Sequence, residues 1–516
     1  MKNKNEFNVT LLRCPIVFSA KTLNMSSVTP PLALAYLSSE LRESGFSVTN
    51  IDSVGEKMDQ VDDVMPGSGM QYQGLSIEEI LERIDPKTDL LGVSCMFSSE
   101  WVHAKRIIKA IKNKYPELSI IVGGEHATAL PEVVLEQCPE IDAIALGEGE
   151  ETIIDLAESY RCQKGLEKIR GIAYRRKSEI IRTEPRQRIR KIDDIPWPAW
   201  DLLPIDAYLN SGLSHGPYRG KTIPMLASRG CPYECTFCSN PVMYGKTYVT
   251  RDPEDLLDEI AVYQKKYGVQ VIDFYDLTTI TSRKWILRFC DLIIQREMSF
   301  SWQISGGTRT EAIDEEVIIK AKKAGCEYLG FAPESGSREV IKVIKKRVDL
   351  KRMLKLFKIG VKHKVGTRAN LIIGFPKETR FQIYETLYMQ IKLALIGVLD
   401  APIFEFTPYP GSEDFDYLRS KNYIGKLDDN YFDSLATDLS FGKNRRYCEK
   451  VGPKELKFYQ ITGMALFYGT HYLVRPKKLV GFIRNIFGNK FSDNVFEQRI
   501  LGNIKRFHLF KINTLE

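Results

Sequence analysis

Three cysteines, Cys231, Cys235 and Cys238, lie at spacings of four and three residues in a short loop that also holds Gly230 and Pro232. Three thiolates delivered from one loop suit a soft metal, above all an iron–sulfur cluster. A four-iron cluster ordinarily takes four cysteines. Three would leave one iron open to a further ligand, which suits chemistry better than electron carriage. The plainer alternatives are a zinc site or three unconnected thiols in a reducing compartment. The apolar run Thr222 to Ala227 leads into the loop and reads as a short buried strand.

The elements after the loop must position it. Strand-like runs at 269–275, 300–305, 327–332, 367–373 and 399–406 alternate with helical runs. With the strand at Thr222 they make six strand–helix units, which predicts a partial barrel of the TIM type with its site on the loops after the strands. The cysteine loop falls on that rim, and so do Asp276, Arg309, Glu334, Ser335, Gly336, Gly374, Pro376, Thr407 and Gly411.

The first block, from Phe7 to about Arg161, alternates in the same way. Runs at 8–12, 46–52, 90–95, 119–123 and 141–146 read as strands, and 31–42, 99–114 and the stretch after Glu150 as helices. That order predicts a parallel, doubly wound sheet, whose ligands bind beyond the carboxyl ends of the strands. Small residues stand at those ends: Ser94, Gly123, Gly124, Gly147 and Gly149. Glycine there lets a bulky group approach the backbone, and it also serves ordinary turns. Between the blocks, 164–220 reads as a connector. It holds a hairpin near 171–183 and a proline- and tryptophan-rich run, 195–204, expected to pack across both domains.

The totals set bounds. The chain has 516 residues, 43% hydrophobic and 27% charged, enough for two or three domains of ordinary soluble composition. No apolar run reaches the roughly 18 residues of a membrane span, and the first residues carry no signal-peptide core. The ten cysteines are not spaced as a secreted disulfide framework. Cytosol is the expected location. Net charge is +7, and from Phe441 onward fifteen Lys and Arg face five Asp and Glu, so the chain closes on a basic module.

The complete pattern Cys231, Cys235, Phe237, Cys238 on the first loop of a six-unit partial barrel resembles the radical S-adenosylmethionine (SAM) superfamily. The resemblance implies that the three thiolates hold a 4Fe–4S cluster whose open iron binds SAM, with Phe237 beside the adenine. Glu334 and Ser335 match the family's Glu-Ser-Gly element after strand four. Gly374 to Pro376 match its Gly-x-Pro element, and Thr407 to Gly411 its Pro-Tyr-Pro-Gly element. Arg309 shares their rim. The usual Gly-Gly-Glu after strand two is absent, and Asp276 stands in its place.

The first block resembles the cobalamin-binding domain that precedes this barrel in one branch of the superfamily. By that resemblance Ser94, Gly123, Gly124, Glu125, His126, Gly147, Glu148 and Gly149 belong to the cobalamin site. The histidine motif of methionine-synthase-type domains is missing, so cobalt would lack a protein histidine ligand. His126 reads as a structural turn residue. The expected layout is a cobalamin-binding Rossmann-like domain at 7–163, a connector at 164–220, a radical SAM partial barrel at 221–418 and a basic helical region at 419–516.

The activity implied is transfer of a methyl group from methylcobalamin to an unactivated carbon, after hydrogen abstraction by a 5′-deoxyadenosyl radical. An external electron donor such as flavodoxin or ferredoxin is implied as well. Two alternatives stand beside it: a ring-forming cyclase with the same cofactors, and a non-catalytic cobalamin-binding or sensing protein. A methylthiotransferase is disfavoured, since Cys14, Cys95 and Cys138 lie too far apart to form a second cluster motif. Those three, with Cys162, Cys290, Cys326 and Cys448, read as buried thiols. The substrate is expected to be a small or lipid-like molecule, and no nucleic-acid module is recognised. The apolar runs 461–468 and 479–487 in the basic tail have two readings: helices that close the barrel with a solvated basic face, or a peripheral contact with anionic membrane.

Overall fold

A computed structural model describes residues 2–20, 28–436, 445–486 and 494–501. Two sheets organise the chain. The first has seven strands. Its five parallel strands run, in spatial order, Ala143–Ala145, Ser119–Gly123, Leu90–Ser94, Asn8–Arg13 and Ser47–Asp52. The strands Asn8–Arg13 and Leu90–Ser94 are apolar and nearly continuously buried, as the covered centre of a parallel sheet requires. The helices Leu32–Glu43 and Glu150–Arg161 pack on one another and share a core cluster with the sheet, while Trp101–Lys114 belongs to a second core cluster.

Two features of this half differ from the expectation. The hairpin Ile172–Arg176 and Glu179–Arg182 is not separate from the first sheet. It pairs antiparallel with Ala143–Ala145 and covers an edge that would otherwise stand open. A small antiparallel sheet of Ile16–Ser19, Val61–Asp63 and Met70–Gln73 was not anticipated, because strands this short carry little alternation.

The second sheet has six parallel strands in sequence order: Thr222–Met225, Val271–Phe274, Ser301–Thr308, Cys326–Glu334, Gly366–Ile373 and Ile403–Glu405. This is the expected partial barrel, and its helices start on defined caps. Ser282, Asp314, Asp349 and Thr379 each accept a backbone N–H of the helix they open, and Gly268 closes the first helix in the left-handed conformation. The helix Pro453–Val474 packs on Arg380–Ile396 and on the sixth strand, closing the open side. The connector joins both halves as expected: the Ala199 N–H donates to the Ala35 carbonyl at 2.9 Å, and the Trp197 indole donates to Asp255 at 3.1 Å.

Candidate active site

The first barrel strand ends at Met225, and the chain bridges Ser228–Arg229 to Val249–Thr250 before and after the cysteine loop. Gly230 adopts φ +82°, and a Cβ there would fall 2.1 Å from the Thr247 carbonyl oxygen, so only glycine lets the loop begin. Cys231, Cys235 and Cys238 are half-buried, whereas six of the other seven cysteines are fully buried. Burial raises all three thiols, Cys238 to about 12. Thiolates here therefore need positive charge, and Lys346 and Arg309 act on Cys231 and Cys235 in that sense. No three His, Cys, Asp or Glu side chains among the described residues are grouped as ligands of a single ion. A four-iron cluster binds each thiolate through a different iron, and it fits three separate, half-buried thiols on one loop.

Several rim residues meet this loop, whereas Ser335, Pro376 and Thr407 bond to neighbours outside it. Phe237 packs on Phe375 at 5.7 Å between ring centroids, and Phe375 packs on Phe406 at 5.3 Å. Thus the loops after the fifth and sixth strands meet the cysteine loop through aromatic faces. Glu334 holds the left-handed φ of +61° at the end of the fourth strand and pairs with Lys346 at 2.6 Å. Burial opposes the Lys346 charge, but Glu334 and Cys235 outweigh it and raise its pKa. Ser335 bonds the Thr386 hydroxyl at 3.0 Å and accepts the Ser337 N–H. Arg309 lies 3.6 Å over the Tyr233 ring and pairs with Glu311 at 2.8 Å. Asp276 turns back to the base of the loop, accepting the Ala227 N–H at 3.2 Å and the Ser228 hydroxyl; burial pushes it up to about 6.

Gly374 and Phe375 donate their N–H groups to Glu378, which is itself almost fully buried. Pro376 accepts the Glu449 N–H at 2.8 Å, and Thr407 is half-buried with its hydroxyl directed to the Glu405 carbonyl at 3.4 Å.

The carboxyl edge of the first sheet faces the same loop. Ser94, Gly123 and Ala145 lie in register on three neighbouring strands, a row of small residues that leaves room above the sheet for a bulky cofactor. Gly124 has φ +119°, and a Cβ there would meet the Cys95 carbonyl, so the turn after the row requires glycine. Glu125 accepts the hydroxyl of Ser239, the residue after Cys238. Gly147 lies against the Met243 carbonyl, with 3.4 Å left for a Cβ, and Gly149 lies against Leu37.

Glu148 pairs with Arg188 at 2.6 Å and with Arg229 at 3.4 Å, and Glu150 pairs with Arg229 at 2.6 Å. These acids hold the two halves together. His126 is only 1% exposed. Its Nδ1 bonds the Ser98 hydroxyl at 2.8 Å, its ring is walled by Trp101 and Phe432, and burial lowers its pKa to about 3. Its sequence context reads as a turn, and it lies in the short helix Glu125–Ala129.

Sequence reasoning missed Lys346, Arg229 and Glu378. Only Glu378 carried a local signal, an acid four residues after the left-handed Gly374. Lys346 and Arg229 meet partners 12 and 81 residues away.

The chain matches the family model described as radical SAM superfamily over residues 225–388, and the B12 binding domain model over 20–157. It is 30% identical to the uncharacterised methyltransferase PH0819 of Pyrococcus horikoshii, covering 80% of this chain and 84% of that protein. It is 25% identical to an anaerobic magnesium-protoporphyrin IX monomethyl ester cyclase of Rubrivivax gelatinosus, covering 90% and 80%. Two solved structures share the fold. The methyltransferase TsrM of Kitasatospora setae, with cobalamin and the 4Fe–4S cluster bound, superposes with a TM-score of 0.63 at 14% identity, over 90% of this chain and 88% of that one. The enzyme OxsB, with aqua-cobalamin and SAM bound, gives 0.65 at 18% identity, over 97% and 75%. Together the two matched domains imply three cofactors: a 4Fe–4S cluster, SAM and cobalamin. The chain belongs to the cobalamin-binding branch of the radical SAM superfamily.

Proposed function

We propose that this enzyme methylates an unactivated carbon of a substrate held between the first sheet and the barrel. The observation that carries the reading is the meeting of three half-buried thiols with the Ser94–Gly123–Ala145 row, joined by the Glu125–Ser239 bond. When bound, the cluster supplies the electron that cleaves SAM, and cobalamin supplies the methyl group. Cys231, Cys235 and Cys238 would hold the cluster. Phe237, Asp276, Arg309, Glu334, Ser335, Gly374, Pro376 and Thr407 would line the SAM site, with Lys346 fixing the Glu334 carboxylate. Ser94, Gly123, Gly124 and Gly147 would give cobalamin its approach to the sheet. Glu125, Glu148 and Gly149 would fix the loops around it, and His126 would brace them from behind. The Arg229 ion pairs and the aromatic contacts of Phe237 fix the distance between the two edges and exclude water from the reacting groups.

Ring formation is the second reading, favoured by the cyclase relative that aligns with 90% of this chain. Anaerobic reconstitution with iron, sulfide, cobalamin, SAM and a reductant such as reduced flavodoxin separates the two. Methyl transfer yields both 5′-deoxyadenosine and S-adenosylhomocysteine. Ring formation yields 5′-deoxyadenosine without S-adenosylhomocysteine, and neither product would contradict both readings.

The enzyme is also proposed to rest on an anionic membrane surface. No helix among the described residues is long and apolar enough to cross a membrane. Yet of the twenty exposed large hydrophobic residues among those described, twelve fall on three adjacent helices, Arg380–Ile396, Pro453–Val474 and Pro476–Ile486; Phe381, Phe458 and Leu473 stand out most. Lys392, Lys477, Lys478 and Arg484 lie on the same helices and Arg475 between the last two, so apolar insertion and attraction to anionic lipid act together. Phe487, the end of the second apolar run, lies outside the described residues. Binding to phosphatidylserine vesicles that weakens with salt is expected; no binding at low salt by folded protein would contradict this contact.

A further inference from the structure

Strand alternation divides the barrel residues into two sets. Trp302, Ile304, Leu329, Phe331, Thr367 and Ala369 face the helices and are fully buried. The opposite set faces the lumen, and much of it is polar or small. Asp273 and Gln303 pair at its floor at 2.9 Å, and Asp273 also accepts the Ser305 hydroxyl at 3.2 Å. Above them the inward positions are Gly307 on the third strand, Gly330 and Ala332 on the fourth, and Arg368 and Asn370 on the fifth. Asn370 reaches across the small residues of these strands, its amide donating to the Gly306 carbonyl at 3.3 Å.

Arg368 is the next inward position on the same strand. It is 6% exposed, and its only side-chain hydrogen bond among the described residues runs from Nε to the Asn370 side-chain oxygen at 2.7 Å. Its two terminal amino groups have no acceptor among the described residues. Asp400 is bridged to Arg368 through the backbone, but its carboxylate is already taken by the hydroxyls of Tyr328 at 2.9 Å and Tyr468 at 3.2 Å and by the N–H groups of Val495 and Phe496. Burial pushes Asp273 up to about 7, so it does not neutralise the lumen fully. Burial, with Arg368 and Arg499, holds His215 neutral at the lumen wall. A nearly buried guanidinium whose amino groups bond no anion is costly, and a ligand anion relieves that cost.

We propose that Arg368 binds an anionic group, a carboxylate or phosphate, of the substrate inside the barrel lumen. The assignment rests on the enzymatic reading above, and its test is a binding measurement that needs no turnover.

The full chain, loaded with cluster and cobalamin, is titrated with acetate, inorganic phosphate and acetamide, following heat of binding and thermal unfolding. Saturable binding of acetate or phosphate is expected, with none of acetamide, the neutral isostere of acetate. Arg368→Met should weaken anion binding by about tenfold or more, and Arg368→Lys, which keeps the charge and loses the fork, should fall between. Titration with SAM separates the two sources of a carboxylate. SAM affinity within about twofold of wild type in Arg368→Met supports a substrate anion, whereas a loss of about tenfold would assign the arginine to the methionyl carboxylate and overturn the proposal. Equal responses to acetate and acetamide, or equal anion binding in wild type and Arg368→Met, would overturn it as well. Should the methionine variant fail to fold, the acetate–acetamide contrast and the lysine variant still decide.

Discussion

Arg229 and Arg368 are both nearly buried, yet their surroundings are opposite. Arg229, in the wall between the first sheet and the barrel, faces Glu148 and Glu150 and lies 5.1 Å over the Tyr36 ring. Arg368, in the lumen, touches one neutral amide. The first environment is complete without a ligand, and the second is not. A compensated buried charge fixes geometry, here the distance between two cofactor edges. An uncompensated one marks a place where something charged is to be bound.

The contrast can be tested by removing each charge. Arg229→Met strands Glu150, 8% exposed, and leaves Glu148 to Arg188 alone, and should cost about 3–5 kcal/mol in denaturant unfolding. A cost below about 1 kcal/mol would mean that the wall is not held by this cluster. Glu150→Gln keeps the shape and removes one charge-assisted bond, with an expected loss of about 1.5–3 kcal/mol by the same measurement. Arg368→Met removes a charge that pairs directly with no acid among the described residues, so stability should change by less than about 1 kcal/mol, or rise. A loss as large as that of Arg229→Met would erase the distinction between the two sites.

The smallest effect is a change of slope. Burial raises the Glu378 carboxyl from the ordinary 4.5 to about 8, against the two N–H groups that lower it. The folded chain therefore keeps a proton that the unfolded chain releases, and stability should fall as pH rises from 4.5 to 8. Glu378→Gln should flatten the melting temperature across that window and leave it nearly unchanged at its acid end. An unaltered slope would show that Glu378 is ionised in the fold.

Much of this arrangement was legible in the sequence. The cysteine spacing, the six apolar strands and the glycines after them define the rim, because turns and strand periods are local. The alternation at Val271, Ile272, Asp273 and Phe274 also signals a strand with one polar face, but not that the face encloses a lumen. Lys346 was invisible because no motif surrounds it and its meaning comes from Glu334. Arg229 was invisible for the same reason, its partners lying on another sheet. Charge compensation is a property of the assembled fold, and neither of these pairs is announced by spacing.

The central claim is that Cys231, Cys235 and Cys238 hold the cluster that cleaves SAM. It is tested most directly by anaerobic reconstitution of wild type and Cys235→Ala, with 5′-deoxyadenosine measured by chromatography. The account predicts 5′-deoxyadenosine from the wild type and none above background from the variant. Formation by Cys235→Ala at the wild-type rate would contradict it.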